Sequence, residues 1–209
     1  LALDSHFGAK MITRWDKWYP EDNRLLRIPA TQAAKSAAQA FLLREKQLVL
    51  DLACGLGRDT FFLESQGLTA VGTDASLNGL RIAQCIKAER GALCEFIAAD
   101  ARQLPFREGS FDGVYCFGLL HEFTDEQRKE ADVEDVMGEI TRLLRREGIL
   151  ILTVIAGNPT EGLPQVQMFS RHMFEKATRG LQTIEVKRYD DMGCTGRPDY
   201  HIWYGMFQR

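Results

Sequence analysis

No stretch of this sequence approaches the roughly 20 consecutive apolar residues that cross a bilayer, and its start lacks a basic segment running into an apolar one. On those two absences, no membrane partner and no export are expected. Net positive charge is missing as well: 26 Lys and Arg stand against 29 Asp and Glu, for a formal charge of −3. No broad field is therefore available to draw in nucleic-acid phosphates, and a small molecule is the expected partner. The five cysteines, Cys54, Cys85, Cys94, Cys116 and Cys194, are odd in number and scattered, with no CxxC pair. That spacing predicts no metal site and suits free thiols in a reducing cytoplasm. Low-complexity tracts and repeats of fixed period are also lacking. The chain opens at Leu1 without a methionine; residues 1–10 are set aside, with Met11 a candidate start.

What is present is an apolar content of 45% over 209 residues, enough for one compact domain with a sheet covered on both faces. Short aliphatic runs alternate with longer helical patterns, the mark of βαβ units. Strands are predicted at 48–52, 68–74, 94–100, 111–117 and 149–155. The helices between them begin near Arg58 and after Ser76, and a further one follows Thr124 and reaches Arg145. An Ala-rich helix, 31–46, precedes the first strand. After a helix near 170–178, the runs 183–187 and 201–207 have no helical pattern between them and should pair antiparallel. The expected architecture is α/β, a doubly wound and mostly parallel sheet closed by an antiparallel hairpin edge. Residues 31–209 read as one domain, and residues 1–30 as an N-terminal segment that is a candidate lid.

The most informative local feature is the turn Asp51-Leu52-Ala53-Cys54-Gly55-Leu56-Gly57, where a strand enters a glycine-rich turn and then a helix. Such a turn aims backbone N–H groups and the positive helix end at an anion. A dinucleotide fingerprint that starts at Gly55 fails because Thr60 stands at its third glycine position, and a P-loop fails for want of a GK[ST] ending. Asp74 closes the second strand 23 residues after Asp51, where a carboxylate can accept from two ribose hydroxyls. Asp100 closes the third, where its carboxylate could accept from an adenine amino group while the Ala101 amide donates to the ring. Three acids at three adjacent strand ends share one crevice, suited to a net cationic cofactor.

The pattern Asp51-x-Ala53-x-Gly55-x-Gly57 resembles the DxGxGxG motif of class I S-adenosylmethionine-dependent methyltransferases, with Ala53 in place of the first glycine. Alanine relaxes into positive φ less freely, so position 53 either keeps ordinary angles or accepts strain. The resemblance runs from about Gln47 to Ile155 and takes in Asp112 at the start of strand four. It implies a seven-stranded sheet of order 3-2-1-4-5-7-6. It also implies S-adenosylmethionine as cofactor, S-adenosylhomocysteine as product, and methyl transfer as the activity. Cofactor contacts are implied for Asp51, Ala53, Cys54, Gly55 and Gly57 in the turn, for Asp74 and Ala75, and for Asp100 and Ala101. Cys116 and Phe117 should line the methionine side, with Gly118 keeping the floor open. Asp51 can equally order the turn by accepting N–H bonds.

Methyl transfer is an in-line displacement at an activated carbon, so a missing catalytic triad says little. After strand four the chain reads Cys116-Phe117-Gly118-Leu119 and not [DN]PP[YFW] or Pro-Cys, which turns attention away from nucleic-acid bases. His121, just beyond, is the candidate catalytic base, with a structural loop role as its alternative. The segment Trp15-Asp16-Lys17-Trp18-Tyr19, followed by Arg27, and the tail from Gly193 through Arg197 and His201 more loosely resemble the tellurite-resistance and thiopurine-type small-molecule methyltransferases. Trp15, Tyr19, Arg27, Arg197 and His201 are thus lid and substrate candidates. The acceptor implied is a soft nucleophile: a thiol, a thiopurine or a chalcogen oxyanion. The competing functions are aminopropyl transfer on the same fold and cofactor binding without chemistry.

Overall fold

A computed structural model describes residues 15–19, 29–123, 128–157, 167–190 and 201–209. Helix α1, Gln32–Leu43, is capped by Thr31, whose hydroxyl accepts from the Ala34 amide at 2.9 Å. Then come β1 Leu48–Leu52, α2 Arg58–Ser65, β2 Thr69–Asp74, α3 Leu77–Arg90, β3 Glu95–Ala98 and β4 Phe111–Phe117. A 3₁₀ turn Leu120–Glu122, α4 Lys129–Leu143, β5 Leu144–Ala156, α5 Arg171–Ala177, β6 Gln182–Asp190 and β7 His201–Gln208 complete the order.

The seven strands lie in the order β3-β2-β1-β4-β5-β7-β6, parallel except for the β5–β7 and β7–β6 pairs. Both the expected order and the antiparallel edge are therefore present. Alternation along each strand divides the core between the two faces. Val49, Tyr115 and Ile151 pack with Ala33, Ala37 and Phe41 of α1, Leu63 of α2 and Leu80 of α3. Leu50, Leu52, Val114 and Leu150 pack with Val136 and Ile140 of α4 and Phe174 of α5. Each fully buried Val, Leu, Ile or Phe among them contributes about 1.5–3 kcal/mol over its exposed state. Because β1, β2, β3, β4 and β5 all run the same way, their carboxyl ends open on one edge.

Several boundaries differ from the sequence reading: the third strand ends at Ala98, leaving Asp100 beyond it, and the first helix stops at Leu43. The largest departure is at the fifth strand, where the sequence pattern carries the helix to Arg145 and has Gly148 start the strand at Ile149. The structure begins β5 at Leu144, paired with Phe111, and takes up the extra residues in an irregularity before the Gly113–Ile149 pair. Glu147 sits at φ 62° there, a conformation the helical pattern conceals.

Candidate active site

Asp51 is the fourth residue of β1, and the turn after it is held from two sides. The Cys54 amide donates to the Thr73 carbonyl at 2.9 Å, tying the turn to the end of β2, and the Gly57 amide donates to the Cys54 carbonyl at 2.9 Å. Ala53, Gly55 and Gly57 all have positive φ, at 65°, 57° and 77°. Ala53 thus adopts the backbone that the motif's glycine would have, at a cost of roughly 1–2 kcal/mol for a residue with a Cβ. Gly57 caps α2 without any side-chain bond, so the first amides of that helix remain available for an anion. A Cβ on Gly57 would lie 2.5 Å from the Phe96 ring.

Each of the three acids meets the edge in its own way. The Asp74 carboxylate accepts from the Gly55 amide at 2.8 Å through one oxygen and from the Ser76 amide at 2.8 Å through the other. It is half-buried, and burial lifts its pKa above the ordinary carboxylate value against the pull of those amides. Both of its oxygens keep acceptor capacity, which suits a ribose diol. Ala75 is half-buried in the bend that follows. Asp51 is buried and accepts from the Thr60 hydroxyl at 2.6 Å. Its donor is thus a side chain of α2 and not the backbone of the turn. Burial, with the Asp59 charge adding to it, pushes its pKa up to about 8. Cys54, half-buried beside it, has a thiol pushed well up by burial.

Asp100 lies just past β3 and is held by Arg102: the Arg102 amide and Nε donate to Oδ1 at 2.9 and 3.0 Å, and Nη2 to Oδ2 at 2.6 Å. Although its half-buried setting works the other way, those bonds and the guanidinium charge hold the carboxyl below the usual range. Arg102 also donates to Asp132 of α4 at 3.0 Å, and Asp132 is fully buried. The sequence reading did not foresee this arginine. Ala101 is half-buried next to it. Cys116 on β4 is wholly buried in the core on the α4 face, paired in register with Leu52, so its side chain does not line the edge. Phe117 is half-buried and stacks on Tyr115 with ring centroids 6.3 Å apart.

Beyond β4, Gly118 has φ 78°, and a Cβ there would lie 3.5 Å from His121 Cε1. His121 sits in the 3₁₀ turn, largely buried, with Nε2 3.7 Å from Glu122 Oε1. Its carbonyl accepts from the Gln167 amide at 2.7 Å. His201 opens β7 opposite Ala156, the last residue of β5, and so reaches the same edge from the antiparallel side. Arg27 and Arg197 lie outside the described residues.

Trp15 and Tyr19 belong to a short helical turn, 15–19, that rests on this edge. Cβ atoms on Gly55 and Gly79 would come within 2.6 and 2.9 Å of Tyr19 atoms, so both glycines leave room for that ring. Behind the turn, a polar cluster that the sequence reading missed joins α1, α2 and β4. The Asp59 carboxylate accepts from the Thr31 amide at 3.0 Å, the Thr31 hydroxyl at 2.8 Å and the Tyr115 hydroxyl at 3.0 Å. These three residues are 28 to 84 positions apart in sequence, and no local pattern announces them.

A glycine turn at a helix start, a carboxylate at the end of β2 and the order 3-2-1-4-5-7-6 together define the class I methyltransferase fold. Comparison with known proteins agrees. Residues 50–152 match the family model described as "Methyltransferase domain". An uncharacterized methyltransferase of Synechocystis is 38% identical over 106 residues, covering 51% of this chain and 46% of that protein. A demethylmenaquinone methyltransferase of Thermus thermophilus is 34% identical over 134 residues, covering 62% of this chain and 57% of the relative. The chain thus spans about half the length of these curated relatives.

Among solved structures, the 1,6-didemethyltoxoflavin-N1-methyltransferase of Burkholderia thailandensis, bound to 1,6-didemethyltoxoflavin and S-adenosylhomocysteine, superposes with a TM-score of 0.73 at 17% identity. That match covers 100% of this chain and 91% of the other. Residues 50–152 thus form a domain of the class I S-adenosylmethionine-dependent methyltransferases. The residues present fit that cofactor: a helix start without a side-chain cap could take its carboxylate, and Asp74 keeps acceptor capacity for the ribose.

Proposed function

We propose that this protein transfers a methyl group from S-adenosylmethionine to a small-molecule acceptor at the carboxyl edge of β4 and β5. The observation that carries the reading is Asp74, fixed by the Gly55 and Ser76 amides beside an uncapped α2 start. When bound there, the cofactor supplies a methyl group already activated on a sulfonium. The chain's own residues supply alignment and exclusion of water. Phe117 and Gly118 form the floor, and His121 stands beside Gly118 to take a proton from the acceptor or orient it, with Glu122 close enough to steady an imidazolium. A soft acceptor such as a thiol, thiopurine or chalcogen oxyanion asks only for this much. Two of the three proteins named above, the demethylmenaquinone and 1,6-didemethyltoxoflavin methyltransferases, carry small-molecule acceptors in their names, which supports an acceptor of that size. An aminopropyl transferase would need a run of carboxylates past β4 for a polyamine; among the described residues Glu122 stands there with His121 at 3.7 Å.

The test is calorimetry with S-adenosylmethionine and S-adenosylhomocysteine, followed by a labelled-methyl screen of thiols, thiopurines, selenite and tellurite, quinols and bulk tRNA. Saturable binding with label on a small acceptor is expected. No saturable binding overturns the reading, label on tRNA overturns the acceptor class, and binding without turnover on any arm favours the non-catalytic alternative.

A further inference from the structure

Helix α3 starts with no acidic residue in its first turn, so its positive end has no charge partner from its own sequence. The partner comes from 60 positions upstream. Asp16 Oδ1 accepts from the Ser76 hydroxyl at 2.5 Å and from the Asn78 amide at 3.1 Å, and the Asn78 side chain donates back to the Asp16 carbonyl at 3.0 Å. Ser76 itself caps α3 by accepting from the Gly79 amide at 3.0 Å. The Asp16 carboxylate is therefore a second cap supplied by a separate segment. Three residues further along that segment, Tyr19 lies across Gly55 and Gly79. The contact touches the same short stretch, 74–79, that carries the Asp74 carboxylate.

We infer that Asp16 is a positioning residue, a latch that holds the 15–19 turn on the start of α3 and so keeps Tyr19 over the cofactor crevice. The latch sets how fast cofactor and product exchange. This rests on the cofactor reading above. Charge and hydrogen bonding both contribute, because a carboxylate at a helix start gains from the dipole as well as from the donated bonds.

Two of the chain's three tryptophans, Trp15 and Trp18, lie in the turn, and Trp15 stacks on Tyr19 with centroids 5.3 Å apart. The third, Trp203, packs on Phe174 and donates to the Phe169 carbonyl at 3.0 Å. Tryptophan emission thus reports the turn, and a Trp203→Phe background isolates it. Without any ligand, Asp16→Ala should shift that emission to the red, while Asp16→Asn should keep most of the wild-type spectrum because an amide oxygen still accepts both bonds.

With S-adenosylhomocysteine, stopped-flow dissociation should be about tenfold faster in Asp16→Ala, the factor expected for a lost cap. In Asp16→Asn it should be about two- to fivefold faster, the factor expected for lost charge alone. Wild-type emission and wild-type dissociation in Asp16→Ala would overturn the latch. Equal losses in both variants would overturn the hydrogen-bonded cap, and a lowered Tm in Asp16→Ala with unchanged dissociation would make Asp16 merely structural. If wild-type protein binds no S-adenosylhomocysteine, the cofactor reading fails, whereas the ligand-free emission comparison still judges the latch.

Discussion

Asp51 should make this protein less stable as pH rises from 5 to 7, against the usual behaviour of a carboxylate. Its carboxyl is buried, has one neutral donor in Thr60 and stands near the Asp59 charge, which together push its pKa up to about 8 from an ordinary 3.8. The unfolded chain gives up this proton near pH 4, while the folded chain keeps it until about pH 8. Between those limits the unfolded state binds fewer protons, so stability is greatest at the acid end and falls as pH rises, by about 1.4 kcal/mol per pH unit at most.

Asp51→Asn is neutral at every pH, has the same shape and can still accept from Thr60. Urea unfolding of both chains at pH 5, 6 and 7 should therefore give free energies that diverge by nearly 3 kcal/mol over the series, with the wild type losing more. Taking the difference cancels groups far from Asp51, which behave alike in both chains. The lowered carboxyls Asp100, Asp112 and Glu139 act below this window, since what they contribute is lost only as pH falls through their folded values. Parallel lines across the three pH values would mean that Asp51 is charged in the fold and that the reasoning is wrong.

Asp74→Ala should weaken cofactor binding by about 1.5–3 kcal/mol in calorimetry, the scale of hydrogen bonds to a charged group, and an unchanged Kd would put the ribose elsewhere. Tyr115→Phe removes one of the donors to Asp59 and should cost about 1.5–3 kcal/mol in denaturant unfolding; a cost under 0.5 kcal/mol would mean the remaining donors suffice. Ala53→Gly should stabilise the fold by about 0.5–1 kcal/mol, since relief of the left-handed backbone exceeds the added entropy of the unfolded chain. A lower Tm would show that the turn is unstrained.

Much of this fold could be read in advance because its signals are local. The runs at 48–52 and 111–117 alternate between two apolar faces, Gly67 and Gly91 end their helices, and β1 and β4 fall on the expected residues. Asp74 was legible for the same reason, since it ends a recognisable strand. What escaped depends on chain segments that meet only after folding. Arg102 reaches Asp132 across 30 positions, Tyr115 reaches Asp59 across 56, and Asp16 reaches Ser76 across 60. The Tyr115 ring is a core aromatic, and the role of its hydroxyl became visible only once α1 and α2 were placed around it. Cys116 was placed at the edge by the family resemblance, yet the two-residue repeat of the strand turns its side chain inward.

Three carboxylates gathered at one sheet edge would repel one another and anything but a cation, and the chain deals with each by different means. Asp100 is paired with a guanidinium, Asp74 is met by two amides, and Asp51 keeps its proton. The third arrangement is reversible near neutral pH. A cofactor with a sulfonium and an ammonium near this edge favours the ionised form of Asp51, so its binding should release a proton from the protein at pH 7. Calorimetry in phosphate and in Tris would read that proton as a difference in apparent enthalpy between buffers, absent in Asp51→Asn. S-adenosylhomocysteine lacks the sulfonium and should release a smaller fraction. Equal enthalpies in both buffers for the wild type would mean that the cofactor's charge is met by Asp74 alone, and that Asp51 serves the turn through Thr60.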